Sequence, residues 1–287
     1  METGVYYRGG CRWVSRRTTI KRRLPAVATI LLLAIVLVGA LAAGCRHQGA
    51  TTTTVFPTTL GPATTVTLGT GDTLPAGTGR AVSFTTEDGV NLGGHVFGSG
   101  QAGVILTHMY PADQTSWYPT AQRLTQAGYM VLTFDFRGYG ESGGSKQIDL
   151  IDRDVTAAIT QIRKEGAAAV VLVGASMGGT ASLIAGDRAQ ALSSIRLAGI
   201  ATLSAPVEFQ GLSASAAVPR ITVPLLFIAA EKDAGAAGAQ QLEQLASGKG
   251  NLQIVPGSDH GTNLLAGDQV AKVYQLLLDF IKVSLAS

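Results

Sequence analysis

Ser176 stands in the run Gly174-Ala175-Ser176-Met177-Gly178-Gly179, directly after the apolar stretch Ala169-Val170-Val171-Leu172-Val173. This is the G-x-S-x-G spacing of a nucleophile elbow, in which a buried strand turns sharply into a helix and lifts a serine hydroxyl above the sheet edge. So tight a turn leaves no room for side chains two residues before and two after the serine, the positions of Gly174 and Gly178. The helix start aims its free N–H groups, that of Met177 first, at negative charge developing on a bound carbonyl. With 36 glycines in 287 residues the motif alone is weak. The strand before it separates it from an ordinary turn.

A serine hydroxyl is a poor nucleophile until a neighbouring base takes its proton. The chain has four histidines. His47 falls in a Thr-rich stretch, His95 on an N-terminal hairpin and His108 in the loop after the third strand. Elimination leaves His260, in Pro256-Gly257-Ser258-Asp259-His260-Gly261, beyond the last predicted strand. An acid must then orient the imidazole and stabilise its cation. Asp233, Glu231 and Asp259 are the candidates, the first two in Ala229-Ala230-Glu231-Lys232-Asp233. No Gly-rich phosphate loop follows the first strand and no histidine cluster could hold a metal, so the expected chemistry uses no cofactor.

These residues need a frame, and the pattern from 80 to 287 alternates strands with helices. Strands are predicted at 81–85, 90–96, 104–106, 131–134, 169–173, 200–203, 225–229 and 251–255. Helices are predicted at 116–126, 149–165, from the elbow to about 191, near 237–247 and at 270–283. The last has Val273, Leu276, Leu277, Phe280 and Ile281 facing inward. Such alternation implies an α/β fold, a mostly parallel doubly wound sheet with helices on both faces. Ligands of such sheets bind outside the carboxyl ends of the strands.

In their order along the chain, His108, Asp135-Phe136-Arg137-Gly138-Tyr139-Gly140-Glu141-Ser142, the elbow, an acid and a late histidine resemble the α/β-hydrolase fold superfamily. The resemblance covers essentially all of 80–287. It implies Ser176 as nucleophile, Asp233 as the acid and His260 as the base. It also implies an oxyanion hole from the N–H groups of Met177 and of Tyr110, in His108-Met109-Tyr110-Pro111, where relatives often carry glycine at the position of Met109. His108, Asp135 and Arg137 would brace loops, and Tyr139 would either line a pocket or pack. Only about seventeen residues separate Pro206 from Pro224, where relatives with a helical lid insert far more. No large lid domain is expected, and the open site would be bounded by 207–219, Tyr110 and Trp117. The implied activity is hydrolysis of carboxylic esters, with small or flat esters or an exposed polymer end favoured over a deeply enclosed lipid chain. A peptidase or amidase with the same triad, and a non-catalytic surface binding protein of the same fold, are the alternatives.

The first 79 residues read differently. Arg8, Arg12, Arg16, Arg17, Lys21, Arg22 and Arg23 precede an apolar run from Leu24 to Ala43, which ends in Leu41-Ala42-Ala43-Gly44-Cys45. A basic, then apolar, then small-residue order marks an export signal. The end resembles a bacterial lipobox, with Cys45 as the lipidated residue and Ala42 where leucine is usual. Ser15-Arg16-Arg17-Thr18-Thr19-Ile20-Lys21 resembles a twin-arginine motif. An uncleaved anchor or simple cleavage are the alternatives, and all three place the remainder outside the cytoplasm, at the membrane through a lipid in the first. The stretch 46–79, dominated by Thr, Gly and Pro, reads as a flexible stalk. Cys11 and Cys45 are the sole cysteines, so the domain has no disulfide framework. Without the seven basic residues above and Glu2, 15 basic side chains face 18 acidic ones. The excess positive charge belongs to the signal, and no nucleic-acid partner is expected; oligomeric state is not readable. Cys45→Ser should yield a polypeptide without lipid, shown by intact mass and by loss of detergent-phase partitioning; an unchanged lipid mass would refute the lipobox.

Overall fold

The computed structural model describes residues 79–192 and 194–287. The expected signal, the stalk and Cys45 lie outside them. Eight strands form one sheet in the order β1-β2-β4-β3-β5-β6-β9-β10. They are β1 (Arg80–Thr85), β2 (Asn91–Phe97), β3 (Ala102–Thr107), β4 (Met130–Phe134), β5 (Ala169–Ala175), β6 (Arg196–Leu203), β9 (Leu225–Ala230) and β10 (Gly250–Val255). A separate two-stranded hairpin, β7 (Glu208–Phe209) and β8 (Leu212–Ser213), lies between β6 and β9. β2 pairs antiparallel with both β1 and β4, and every later pairing in the large sheet is parallel.

Helices α1 (Tyr118–Gln126), α2 (Ile151–Lys164), α3 (Met177–Ala189), α4 (Gly235–Leu245) and α5 (Val270–Ala286) cover the sheet. The two-residue period of a strand divides its side chains between two cores. Val170, Leu172, Leu225 and Phe227 pack with Val155 and Ile159 of α2, Ala181 of α3 and Leu242 of α4. Val171, Val173, Leu226 and Ile228 pack with Leu124 of α1 and with Val273, Leu277 and Ile281 of α5. Buried on both faces, these strands are continuous apolar runs, as a parallel sheet requires.

Trp117 is fully buried in the α1–α5 core. It is therefore not a wall of an open site, contrary to the sequence expectation. A 3₁₀ turn at Gln114–Trp117, capped by the Asp113 side chain accepting Thr115 N–H, turns the indole inward just before α1. The expected strands and helices are present, with ends shifted by a few residues; the strand expected at 200–203, for example, begins at Arg196. The β7–β8 hairpin was not foreseen. The short β6–β9 connection carries that hairpin and one 3₁₀ turn at Val218–Arg220 and no helical lid.

Arg137 is completely buried and ties three segments together. Its guanidinium donates to Asp154 Oδ1 from Nε at 2.8 Å and from Nη2 at 2.6 Å, and to Asp88 from Nη1 at 2.8 Å. Arg137 N–H also donates to Asp154 Oδ2 at 2.9 Å. The β1–β2 turn, the loop after β4 and α2 are thus clamped to one cation. Burial works against that charge, but the hydrogen bonds from both carboxylates outweigh it and push the guanidinium pKa up. Hydrogen bonding to Arg137 holds the Asp88 carboxyl well below the usual carboxylate range, whereas burial pushes Asp154 up. Removing one partner of a buried pair leaves an uncompensated charge. Asp154→Ala should cost about 3–5 kcal/mol in urea unfolding, and Asp88→Ala clearly less because that carboxylate is 26% exposed; equal small losses would mean that the clamp contributes little.

Candidate active site

The parallel registers bring the carboxyl ends of β3, β5, β6 and β9 to one edge. Thr107 is opposite Gly174, Ala175 opposite Leu203, and Leu203 opposite Ile228. The chain continues from β3 into α1 on one face and from β5 into α3 on the other. The crevice between β3 and β5 is therefore the switch point at which such sheets bind ligands.

Ser176 sits there at φ 48°, ψ −120°, a conformation that side chains other than glycine rarely adopt. Close backbone approach enforces it. A Cβ on Gly174 would lie 2.6 Å from the Gly178 carbonyl, and one on Gly178 would lie 2.5 and 2.6 Å from the carbonyl oxygens of Thr107 and His108. Ser176 N–H donates to the Leu203 carbonyl at 2.8 Å, locking the turn to β6. The serine side chain does not cap α3. Its hydroxyl is left for other partners, and the N–H groups of Met177 and Gly178, in the helix's first turn, have no acceptor within the helix.

His260 and Asp233, twenty-seven residues apart in sequence, meet at 2.8 Å between Nδ1 and Oδ1. A carboxylate can only accept, so Nδ1 carries the proton and Nε2 keeps its lone pair. The acid side chain is 4% exposed and the imidazole 37%. The carboxylate is sealed in while the base faces outward. Glu231, the alternative acid, is exposed and pairs with Lys232 at 3.7 Å, and no bond joins Asp259 to the imidazole among the described residues. The base loop reaches the elbow: a Cβ on Gly261 would lie 3.4 Å from Ala175 Cβ and 2.5 Å from Met109 Sδ. Ser176, Asp233, His260 and the loop of Tyr110 are thus gathered at one edge.

That loop is pinned at both ends by buried polar groups. His108 Nε2 accepts Phe136 N–H at 3.0 Å, which fixes the proton on Nδ1, from which it donates to the Met109 carbonyl at 3.1 Å. Asp135 accepts Gln114 N–H at 2.8 Å, the Gln114 amide at 2.9 Å and Glu141 N–H at 2.9 Å. Between them the Tyr110–Pro111 bond is cis, and the Tyr110 side chain is 47% exposed, with its ring 6.1 Å from that of Phe209 on β7. Tyr139 is a packing residue, buried edge-on against His108 at 5.0 Å. Among the described residues no group of three or more His, Cys, Asp or Glu could hold a metal, and no helix is long and apolar enough to cross a membrane.

Residues 99–216 match the family described as serine aminopeptidase, S33. A 93-residue stretch is 37% identical to bifunctional epoxide hydrolase 2 of Sus scrofa, covering 32% of this chain and 17% of that protein. The match thus spans well under two thirds of that curated relative. A Pyrococcus furiosus esterase superposes at a TM-score of 0.61 with 20% identity, over 72% of this chain and 93% of its own. An esterase from Exiguobacterium antarcticum gives 0.59 with 16% identity, over 71% and 100%. The fold is the α/β-hydrolase fold. Within it, this chain departs from the expected pattern at Met109, whose sulfur fills the space beside Gly261.

Ser204 was not foreseen in sequence. It directly follows β6 at φ 56°, and its Oγ accepts Gly261 N–H at 3.1 Å. No motif marks it, because its partner lies 57 residues away.

Burial lowers the pKa of His108 below 6.5, against the opposing pull of Asp135 and Asp113. A histidine kept neutral in the fold contributes stability that is present above its unfolded pKa and declines as pH falls through that value. Unfolding free energy should fall between pH 7 and pH 5, and His108→Gln should flatten that slope while lowering stability throughout; an unchanged slope would assign the effect to another group.

Proposed function

We propose that this chain is a membrane-anchored extracytoplasmic serine hydrolase that cleaves carboxylic esters through an acyl-enzyme. The observation that carries the reading is the 2.8 Å pairing of His260 Nδ1 with the buried Asp233, at the sheet edge where Ser176 is held on the elbow. The anchoring part rests on the N-terminal signal and Cys45 alone.

In this reading Ser176 Oγ attacks the ester carbonyl carbon while its proton passes to His260 Nε2. The N–H groups of Met177 and Tyr110 hold the resulting oxyanion, and Asp233 stabilises the imidazolium across its Nδ1–H bond. Collapse of the tetrahedral intermediate breaks the ester C–O bond, and the His260 proton leaves with the alcohol. Water then attacks the acyl-serine with His260 again as base, releasing the carboxylic acid and restoring Ser176. Apart from substrate and water, every group in these steps belongs to the chain.

The short β6–β9 connection favours small or flat esters, or an exposed polymer end, over a deeply enclosed lipid chain, and ester cleavage is supported by the esterases that share the fold. A second reading, as a peptidase or amidase with the same triad, is supported by the family that 99–216 match. A panel of p-nitrophenyl esters and amino-acyl anilides separates the two. Ser176→Ala should abolish ester turnover and fluorophosphonate labelling with thermal unfolding nearly unchanged, and Asp233→Asn should lower kcat by orders of magnitude, ~10⁴ where the acid's role is fully expressed. Retained turnover in Ser176→Ala would sink the assignment; faster turnover of anilides than of esters would select the second reading.

A further inference from the structure

Asp233 accepts from His260 with Oδ1, but its Oδ2 is buried with no hydrogen-bond partner among the described residues. A carboxylate held by one bond can rotate about it, so the geometry of the pair must be secured elsewhere. Two adjacent residues, Leu203 at the end of β6 and Ser204 after it, together touch all three segments that carry Ser176, Asp233 and His260.

The Leu203 carbonyl, one residue before Ser204, accepts Ser176 N–H at 2.8 Å. A Cβ on Gly235 would lie 2.8 Å from Ser204 Cβ and 2.8 Å from Asp233 Oδ2, so Ser204 backs onto the turn that carries the acid. Ser204 Oγ accepts Gly261 N–H, next to His260, and Ser204 N–H donates to the Ile228 carbonyl at 2.7 Å on β9. Ser204 and Gly261 are both buried, so water does not readily replace the bond between them.

We propose that Ser204 is a positioning residue for the reaction: through Gly261 it holds His260 where Nδ1 meets Asp233 and Nε2 is turned to Ser176. The inference rests on the triad reading above. Residue type agrees with the task. A φ of 56° excludes a β-branched substitute such as threonine without strain. Glycine takes that φ freely but has no acceptor, and alanine has no acceptor and keeps the strain. The hydroxyl and the backbone conformation can therefore be separated experimentally.

The test compares full-length wild type with Ser204→Ala and Ser204→Gly, by steady-state ester hydrolysis and by the low-field proton resonance of His260 Nδ1–H. Both variants should lose kcat roughly 10- to 100-fold while KM stays within about twofold, and both should shift or lose the resonance. Ser204→Gly is decisive, because a purely conformational role would leave it as active as wild type. Wild-type kcat and an unmoved resonance in Ser204→Gly would overturn the inference, and so would loss of folding in both variants, which would make the residue merely structural. If wild type itself shows no Ser176-dependent turnover, the triad reading fails, and the resonance comparison still decides whether Ser204 holds His260.

Discussion

The turn from β5 into α3 is the constraint on which the rest of the site depends. Ser176 occupies a backbone conformation that costs on the order of 1–3 kcal/mol and persists only where the surroundings over-determine it. Here the surroundings are other backbones: the Gly178 carbonyl against Gly174, and the Thr107 and His108 carbonyls against Gly178. Those approaches bring the end of β3 over the first turn of α3, so the strain at the serine and the placement of the loop carrying Tyr110 are one event. The same turn keeps the serine from capping its own helix, leaving both hydroxyl and first-turn N–H groups for chemistry.

Around this turn buried polar groups hold the loops. His108 and Asp135 secure the ends of the Tyr110 loop, Ser204 secures the His260 loop, and Arg137 secures the loop after β4. An unpaired buried donor or acceptor is expensive, so each pin admits one geometry only. The two ionic arrangements differ in kind. Arg137 with Asp154 is sealed, and with Asp88 added the guanidinium is multiply bonded, which suits a frame. His260 with Asp233 has a single bond and a base open to the outside, which suits proton transfer.

Much of the frame was legible in the sequence because burial on both sheet faces writes uninterrupted apolar runs, such as 169–173 and 225–229, and helices write a 3.6-residue period. The β7–β8 hairpin left no such trace, since two-residue strands have no period to detect. Trp117 was misplaced for a related reason. Its position after β3 suggested the mouth of the site, but a capped 3₁₀ turn rotates it into the core, and turn geometry is not a hydrophobic pattern.

The residue types at the site were determined by the sequence itself. A serine between glycines after a buried strand, and one late histidine among four, are the candidates for nucleophile and base that the sequence marks by residue type and spacing. Among Asp233, Glu231 and Asp259, adjacency to the histidine in sequence counted against Asp259, and the resemblance favoured Asp233 over Glu231. Tertiary structure places Asp233 buried against His260 and leaves Glu231 in solvent. Ser204 belongs wholly to that second category. Its value lies in a left-handed φ and a bond to Gly261, and neither exists until four strands align their carboxyl ends.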